Sequence, residues 1–512
     1  MMLAGVLRRP ALVKPGCRYA SFFDRFFNDS SEADVPRSDR PFASSEYHLA
    51  LLGYVAQTMH PQYSLEAILA SDHDFLMGHV LVGASQYLAP NRHSDSLGAR
   101  DRVDTAKALI AKVETSTLEK WHVLALEYMV QGQFRNAVAV YETILRHDVS
   151  DLLALKCAAD LYVILGDQKN LLQVVSRVLP QWSATQPGYS HLLSLQAYAL
   201  SENGDHGAAT SLAERAMSMH EDDAGAFHAL LHAFEVQGKH QEGASLLLRN
   251  ADQWETFAVL RTHIRAHFAL FLLETGRYDR VMKILLNDIF GPDTLAAPIL
   301  VDVTQIYWRL VLAGFPADSI RSELQTQWRT VLASADSVAL SPLALLHAHT
   351  ILSLECPSPV DSSKIGLRDD SWDAVAVGAQ LGRDVMSFSY PVPGYSALVE
   401  TTCEAISAYN EHRFADAISR FLQVRGQVHL LGGSKVEQEL FDMLLIDAAT
   451  RGGKYEIAHL VLNERINAKP QSAQYWATFA NVMAGIGDQD GVDGARRMSY
   501  VLGLGQAGTG AA

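Results

Sequence analysis

Between residues 117 and 290 apolar side chains return every three or four positions, in runs that close on a glycine, a polar residue and then an aromatic residue or histidine. That period predicts helices that each bury one stripe, and the glycine supplies the turn between one helix and the next. The glycines fall at Gly132, Gly166, Gly204, Gly238 and Gly276, spaced by 34, 38, 34 and 38 residues, and again at Gly453 and Gly487, 34 apart. No stretch alternates apolar and polar residues as a half-buried strand does.

A spacing of about 34 residues is the tetratricopeptide period. The side chains agree with it. Trp121, Ala125 and Tyr128 share a face before Gly132, and Phe134, Ala137 and Tyr141 share one after it. Alternating large and small residues lets two helices close on each other. Tyr455, Ala458 and Pro470 follow Gly453 in the same register, and a further unit around Phe414 and Ala417 has His412 in the glycine's place. The predicted fold is all-α: a tetratricopeptide-like helical-repeat solenoid, a right-handed superhelix of helix pairs, with irregular helical caps. The expected organisation is a leader over 1–35, a helical cap over 40–116, repeats over 117–290, a divergent segment with Pro-rich loops over 291–395 and further repeats over 396–505. Within the cap, helices are expected near 45–59, 64–70, 74–89 and 98–114. In the divergent segment they are expected near 298–313, 317–334 and 341–355.

Composition narrows the function. Among 512 residues, 57 acidic against 42 basic side chains leave a net charge of −15, which repels a phosphate backbone and argues against nucleic acid as a partner. Apolar runs are broken by Arg261, Arg265 and His347 well before the ~18 residues a bilayer span needs, so membrane insertion is not expected. The four cysteines, Cys17, Cys157, Cys356 and Cys403, have no CxxC spacing and imply neither a disulfide framework nor a zinc ribbon. The first 23 residues hold Arg8, Arg9, Lys14 and Arg18 and no acid before Asp24, the composition of a mitochondrial presequence. The expected location is mitochondrial, with cytoplasmic as the alternative.

Specific strings resemble the tetratricopeptide repeat protein 38 family: Phe75 to Val80 (FLMGHV), Leu152 to Lys156 (LLALK), His228 to His232 (HALLH), His263 to His267 (HIRAH) and Leu431 to Ser434 (LGGS), the last running on into Glu439 to Ile446 (ELFDMLLI). The resemblance runs in order from about residue 40 to about 470. It implies a helical-repeat architecture and makes the leader an addition to the family's usual start. It carries no reaction, because the family has no established activity. Where the family tends to place aromatic residues beside its paired histidines, Ile264, Arg265 and Ala266 stand here.

The sharpest candidate chemistry is the pair of His-x-x-x-His strings, His228 with His232 and His263 with His267. Residues four apart on a helix lie about 5–6 Å apart at Cβ, close enough to share one metal or anion. His228 and His232 each follow a packing residue by one, which turns them toward the concave groove of the superhelix. Glu235, Asp302 and His349 are candidates to complete the group. Packing and hydrogen bonding between neighbouring helices more often explain such pairs, and among 20 histidines some fall four apart by chance. No Glu follows His228, so the H-E-x-x-H arrangement is absent. Gly503, Gly505 and Gly508 match GxGxxG with no following helix to receive a phosphate. No nucleophile, base and oxyanion set assembles, so no catalytic residue is assigned. Two readings follow. In the first the chain is a protein-interaction scaffold whose concave groove receives a protein or peptide, without a cofactor. In the second it is an enzyme or a metal- or small-ligand-binding protein that uses the groove histidines, with a divalent metal as the cofactor.

Overall fold

A computed structural model describes residues 41–58, 61–88, 95–291, 295–333, 341–354 and 395–504. The leader, the prolines at 357, 359, 391 and 393, Cys17 and Cys356 lie outside the described residues. Every regular element among the described residues is helical, and the fold is an all-α, tetratricopeptide-like solenoid. Four helices, α1 (Pro41–Val55), α2 (Pro61–Ser71), α3 (Leu76–Leu88) and α4 (Ser96–Ile110), precede the pairs. The pairs are α5 (Thr117–Val130) with α6 (Phe134–His147), α7 (Leu152–Ile164) with α8 (Gln168–Val178), α9 (Tyr189–Asn203) with α10 (His206–Met219), and α11 (Ala224–Gln237) with α12 (His240–Arg249). After a single turn, α13 (Ala251–Trp254), come α14 (Arg261–Glu274) and α15 (Tyr278–Lys283), then α16 (Ala297–Leu312), α17 (Asp318–Ala333) and α18 (Pro342–Leu352). The C-terminal helices are α19 (Tyr395–Asn410), α20 (Phe414–Val424), α21 (Lys435–Arg451), α22 (Tyr455–Ala468), α23 (Ala473–Ile486) and α24 (Gln489–Leu504).

The sequence signals have local physical counterparts. Ser116 starts α5 with a capping box: its hydroxyl accepts from the Glu119 amide while the Glu119 carboxylate accepts from the Ser116 amide, which satisfies two otherwise unpaired amides. The turns within pairs need the left-handed backbone region, where Cβ is unfavourable. Gly132, Gly166, Gly204, Gly238 and Gly276 all lie there, and His412, a non-glycine at such a turn, has φ +61°. Gly314, 38 residues after Gly276, adopts φ +77° between α16 and α17, so the same turn recurs inside 291–395, where the sequence pattern lapses. Ala125, Ala137 and Tyr141 are fully buried, as the alternation of large and small residues requires.

One feature of the tertiary structure departs from the expected open groove. The C-terminal segment crosses the first helices of successive pairs in order. The Gly433 amide donates to the Val163 carbonyl of α7 at 3.2 Å, and the Lys435 amide to Glu202 of α9 at 2.9 Å. The Lys469 ammonium reaches Glu235 of α11 at 3.2 Å, the Ser472 hydroxyl Glu274 of α14 at 2.7 Å, and the Gln474 amide the Arg309 carbonyl of α16 at 3.3 Å. From α7 to α16 the first helices of successive pairs are therefore bridged by the chain's own C-terminal segment, along the side where the sequence reading expects a groove. The cause is electrostatic: Glu202, Glu235 and Glu274 are buried near the ends of these helices, and buried carboxylates need donors.

Candidate metal centre

α11 and α14 are the first helices of consecutive pairs, and each presents two histidines one turn apart. Asp223 caps α11 by accepting from the Ala226 amide at 2.9 Å, which fixes where its helical phase begins. Packing of the two helices brings both pairs to one point. Ring centroids lie 4.4 Å apart for His228 and His232, 4.7 Å for His228 and His263, 4.8 Å for His232 and His267, and 4.7 Å for His263 and His267. One nitrogen from each of the four rings lies within 4.8 Å of the other three.

Carboxylates surround the imidazoles. His263 Nδ1 donates to Asp302 of α16 at 2.5 Å, and its Nε2 lies 2.8 Å from His228 Nε2. Glu202 lies 3.6 Å from His232 Nδ1. Glu437 of α21 accepts from the backbone and hydroxyl of Ser434 at 2.6 and 2.9 Å and faces Asp302 and His263 electrostatically. Tyr198 packs on His228 and His232. Both ring nitrogens of His267 and Nδ1 of His232 are buried without a hydrogen-bond partner, a costly arrangement for polar groups.

The electrostatics divide the four rings. Burial, and then the neighbouring imidazoles, hold His228 and His267 well below the ordinary histidine value. Burial also works against charge on His263, but the Asp302 carboxylate outweighs it and raises that group. Burial, followed by the nearby Asp302 charge, raises Glu437. His228 and His267, held neutral, together with His232 and His263 beside Glu202 and Asp302, form a donor set suited to a dication. A carboxylate on the far nitrogen of a ligating histidine is the usual outer shell of such centres. The orphaned nitrogens of His232 and His267 fit the same role, since a metal would satisfy them.

Of the candidate residues, the structure brings together His228, His232, His263, His267 and Asp302. Glu235 and His349 sit elsewhere. Glu235 points from the last turn of α11 to Lys469 and lies 3.8 Å from His240. His349, on α18, bonds Ser407 Oγ at 2.9 Å and the Cys403 carbonyl at 3.2 Å. Glu202 and Glu437 escaped the sequence reading. Glu437 carries a sequence signal, but for helix capping after Ser434, and that signal is silent about a site on α11 and α14.

No family model matches the chain. Among solved structures the chain is similar to the TPR domain of P58(IPK), at 12% identity over 75% of this chain and 93% of that one, with a TM-score of 0.21. It is also similar to a chain in the structure of Naa15/Naa10 bound to HypK-THB, at 12% identity over 90% of this chain and 63% of that one, with a TM-score of 0.24.

Proposed function

We propose that this chain is a helical-repeat protein of the tetratricopeptide repeat protein 38 type that binds one divalent transition metal through His228, His232, His263 and His267. The observation that carries this reading is the convergence of four imidazoles within 4.8 Å, backed by the Asp302 carboxylate on His263. A bound dication supplies a positive charge that the surrounding carboxylates otherwise lack. The chain's own contribution is to hold His228 and His267 neutral and to orient His263 through Asp302. Elemental analysis of protein purified without added metal, together with melts in zinc, manganese and chelator, tests the proposal. Stoichiometric metal and a chelator-sensitive melting temperature, both lost in His228→Ala with His267→Ala, support it. A metal-free protein whose melting ignores zinc, manganese and chelator overturns it.

A second reading, protein-interaction scaffold, rests on a different observation. Leu460 and Ile486 are 59% and 47% exposed and line a cleft with Tyr455 and His459 between α22 and the end of α23, where apolar exposure suits docking. Mitochondrial import through the basic leader is a further part of the proposal. It is tested by comparing the location of the full chain with that of a chain lacking residues 1–23.

A further inference from the structure

The last helix described, α24, differs sharply between its two sides. Val492 and Ala495 are buried, and the Ser499 hydroxyl donates to the Ala473 carbonyl at 2.9 Å, which seats one side of the helix on α23. At about 100° per residue, Asp490, Asp493, Gly494, Arg497, Tyr500 and Val501 share the opposite side. A terminal repeat keeps a polar outer face where nothing stacks on it. Here Tyr500 and Val501 are 65% and 60% exposed, an apolar surface at the position where a further repeat would pack.

The same face carries its own charge complement. Asp490 and Asp493 stand in its first half, and Arg496 and Arg497 in its second. Neither arginine forms an ion pair among the described residues, and Asp493 accepts only from the neutral Gln489 amide at 3.1 Å. Gly494 lies between the two halves. A glycine inside a helix lowers its stability relative to alanine, so a close neighbour is the usual reason for one. Gly491 has that reason within the chain, since a Cβ there would meet the Met483 methyl at 2.6 Å. At Gly494 a Cβ would meet only the Arg497 guanidinium, at 4.0 Å. If two copies of α24 cross antiparallel at Gly494, Asp490 lies about one turn to one side of the crossing and Arg497 about one turn to the other. Each Asp490 then faces Arg497 of the second copy, and the two-fold axis makes every contact twice. Tyr500 and Val501 come against the turn from Ile486 to Gln489 of the second copy, where Ile486 is itself exposed. A parallel pair would set like charges together.

We propose that the outer face of α24 binds a second copy of this chain, the two helices pairing antiparallel across Gly494 with Asp490 of each against Arg497 of the other. The proposal is independent of the metal centre. A helix of 16 residues is about 24 Å long, so the interface is smaller than the ~1,600 Å² of a standard complex and the dimer is weak, with Kd on the order of 100 μM. Light scattering on the full chain from about 10 to about 300 μM reads the mass across that range. The wild type is expected to pass from monomer toward dimer. Asp490→Arg and Arg497→Asp each set like charges against each other in the pair and weaken it about tenfold or more. An equimolar mixture of these two variants restores the dimer, because the introduced arginine of one faces the introduced aspartate of the other. Gly494→Leu blocks the close approach and abolishes the dimer, yet melts no lower than the wild type in dilute solution, because its side chain meets open space and a glycine leaves the helix. A wild type that stays monomeric throughout overturns the proposal. So does association that either charge reversal alone or Gly494→Leu leaves intact, or a mixture of the two reversals that stays monomeric.

Discussion

Mild acid should destabilise this protein steeply, because its interior holds several histidines neutral. Burial pushes His48 and His347 down to about 3 and His349 down to about 4. Burial and mutual repulsion hold His228 and His267 well below 6.5. The unfolded chain titrates these groups near 6.5, so below that pH it binds protons the native state refuses. Stability therefore rises with pH across this window and is lost as pH falls. For one such group, moving from pH 6.5 to 5.5 removes about 1 kcal/mol, and five together remove about 5 kcal/mol. His263 has the opposite sign: raised by Asp302, it contributes stability fully below its unfolded value and loses it as pH rises through its folded one. It offsets only a small part of the acid loss, because most of its contribution is already present at the top of the interval. A loss of about 5 kcal/mol matches the lower end of total domain stabilities. Urea melts in chelator at pH 7.5, 6.5 and 5.5 measure it, and His347→Phe should shrink the 6.5 to 5.5 difference by about 1 kcal/mol. Equal midpoints at pH 6.5 and 5.5 would refute the reasoning.

Glu439 binds Arg309 at 2.9 Å and Lys469 at 2.7 Å and also contacts Arg465 and Tyr475, so Glu439→Gln removes the carboxylate that pairs the buried Arg309, while Lys469 keeps Glu235. A loss of about 3–5 kcal/mol is expected in urea melts, with faster proteolysis of α21 to α23; a change under about 1 kcal/mol would contradict the network's role. Asp302→Asn should lower metal affinity about 10–100-fold in chelator competition, and unchanged affinity would remove Asp302 from the centre. Gly166→Ala and Gly453→Ala both force Cβ into the left-handed region at φ +65° and +68°, but only at Gly166 would the Cβ meet a backbone atom, the His429 carbonyl at 1.9 Å. Gly453→Ala should cost about 1–2 kcal/mol and Gly166→Ala distinctly more, with the C-terminal segment released to protease; equal melting shifts would show that residues 429–433 do not dock there.

What the sequence made legible is what repeats within it. Each inner glycine announces a left-handed turn because few other residues tolerate one, and His412 could be placed at the same turn from its register alone. The histidine pairs could be placed on first helices because each pair fits within one helical turn and the next pair follows in the adjacent repeat. The bridging of these helices by the C-terminal segment could not be read. It rests on single contacts between distant residues, such as Lys435 with Glu202 and Lys469 with Glu235, and one side chain per helix leaves no period. For the same reason Glu235 reads as a neighbour of His232 although it is spent on Lys469. Glu202 and Glu437 reach the centre only because α9 and α21 meet there.

The C-terminal bridge and the histidine centre constrain each other. Glu202, Glu235 and Glu274 lie at the C-terminal ends of first helices, where the helix dipole disfavours negative charge. Each receives a donor from the C-terminal segment: the Lys435 amide, the Lys469 ammonium and the Ser472 hydroxyl. Without that segment these helix ends would present a row of poorly compensated acids. Any partner that displaced it would have to bring donors or cations at the same spacing, which an acidic peptide cannot. Glu202 serves both sides at once, accepting from the Lys435 amide and lying 3.6 Å from His232 Nδ1, while Glu437, from the first turn of α21, faces the Asp302–His263 pair. A dication among the four imidazoles would offset the charge of both glutamates. On the proposed metal centre, metal binding and seating of α21 would reinforce each other, and chelation should loosen the C-terminal segment before it unfolds the repeats.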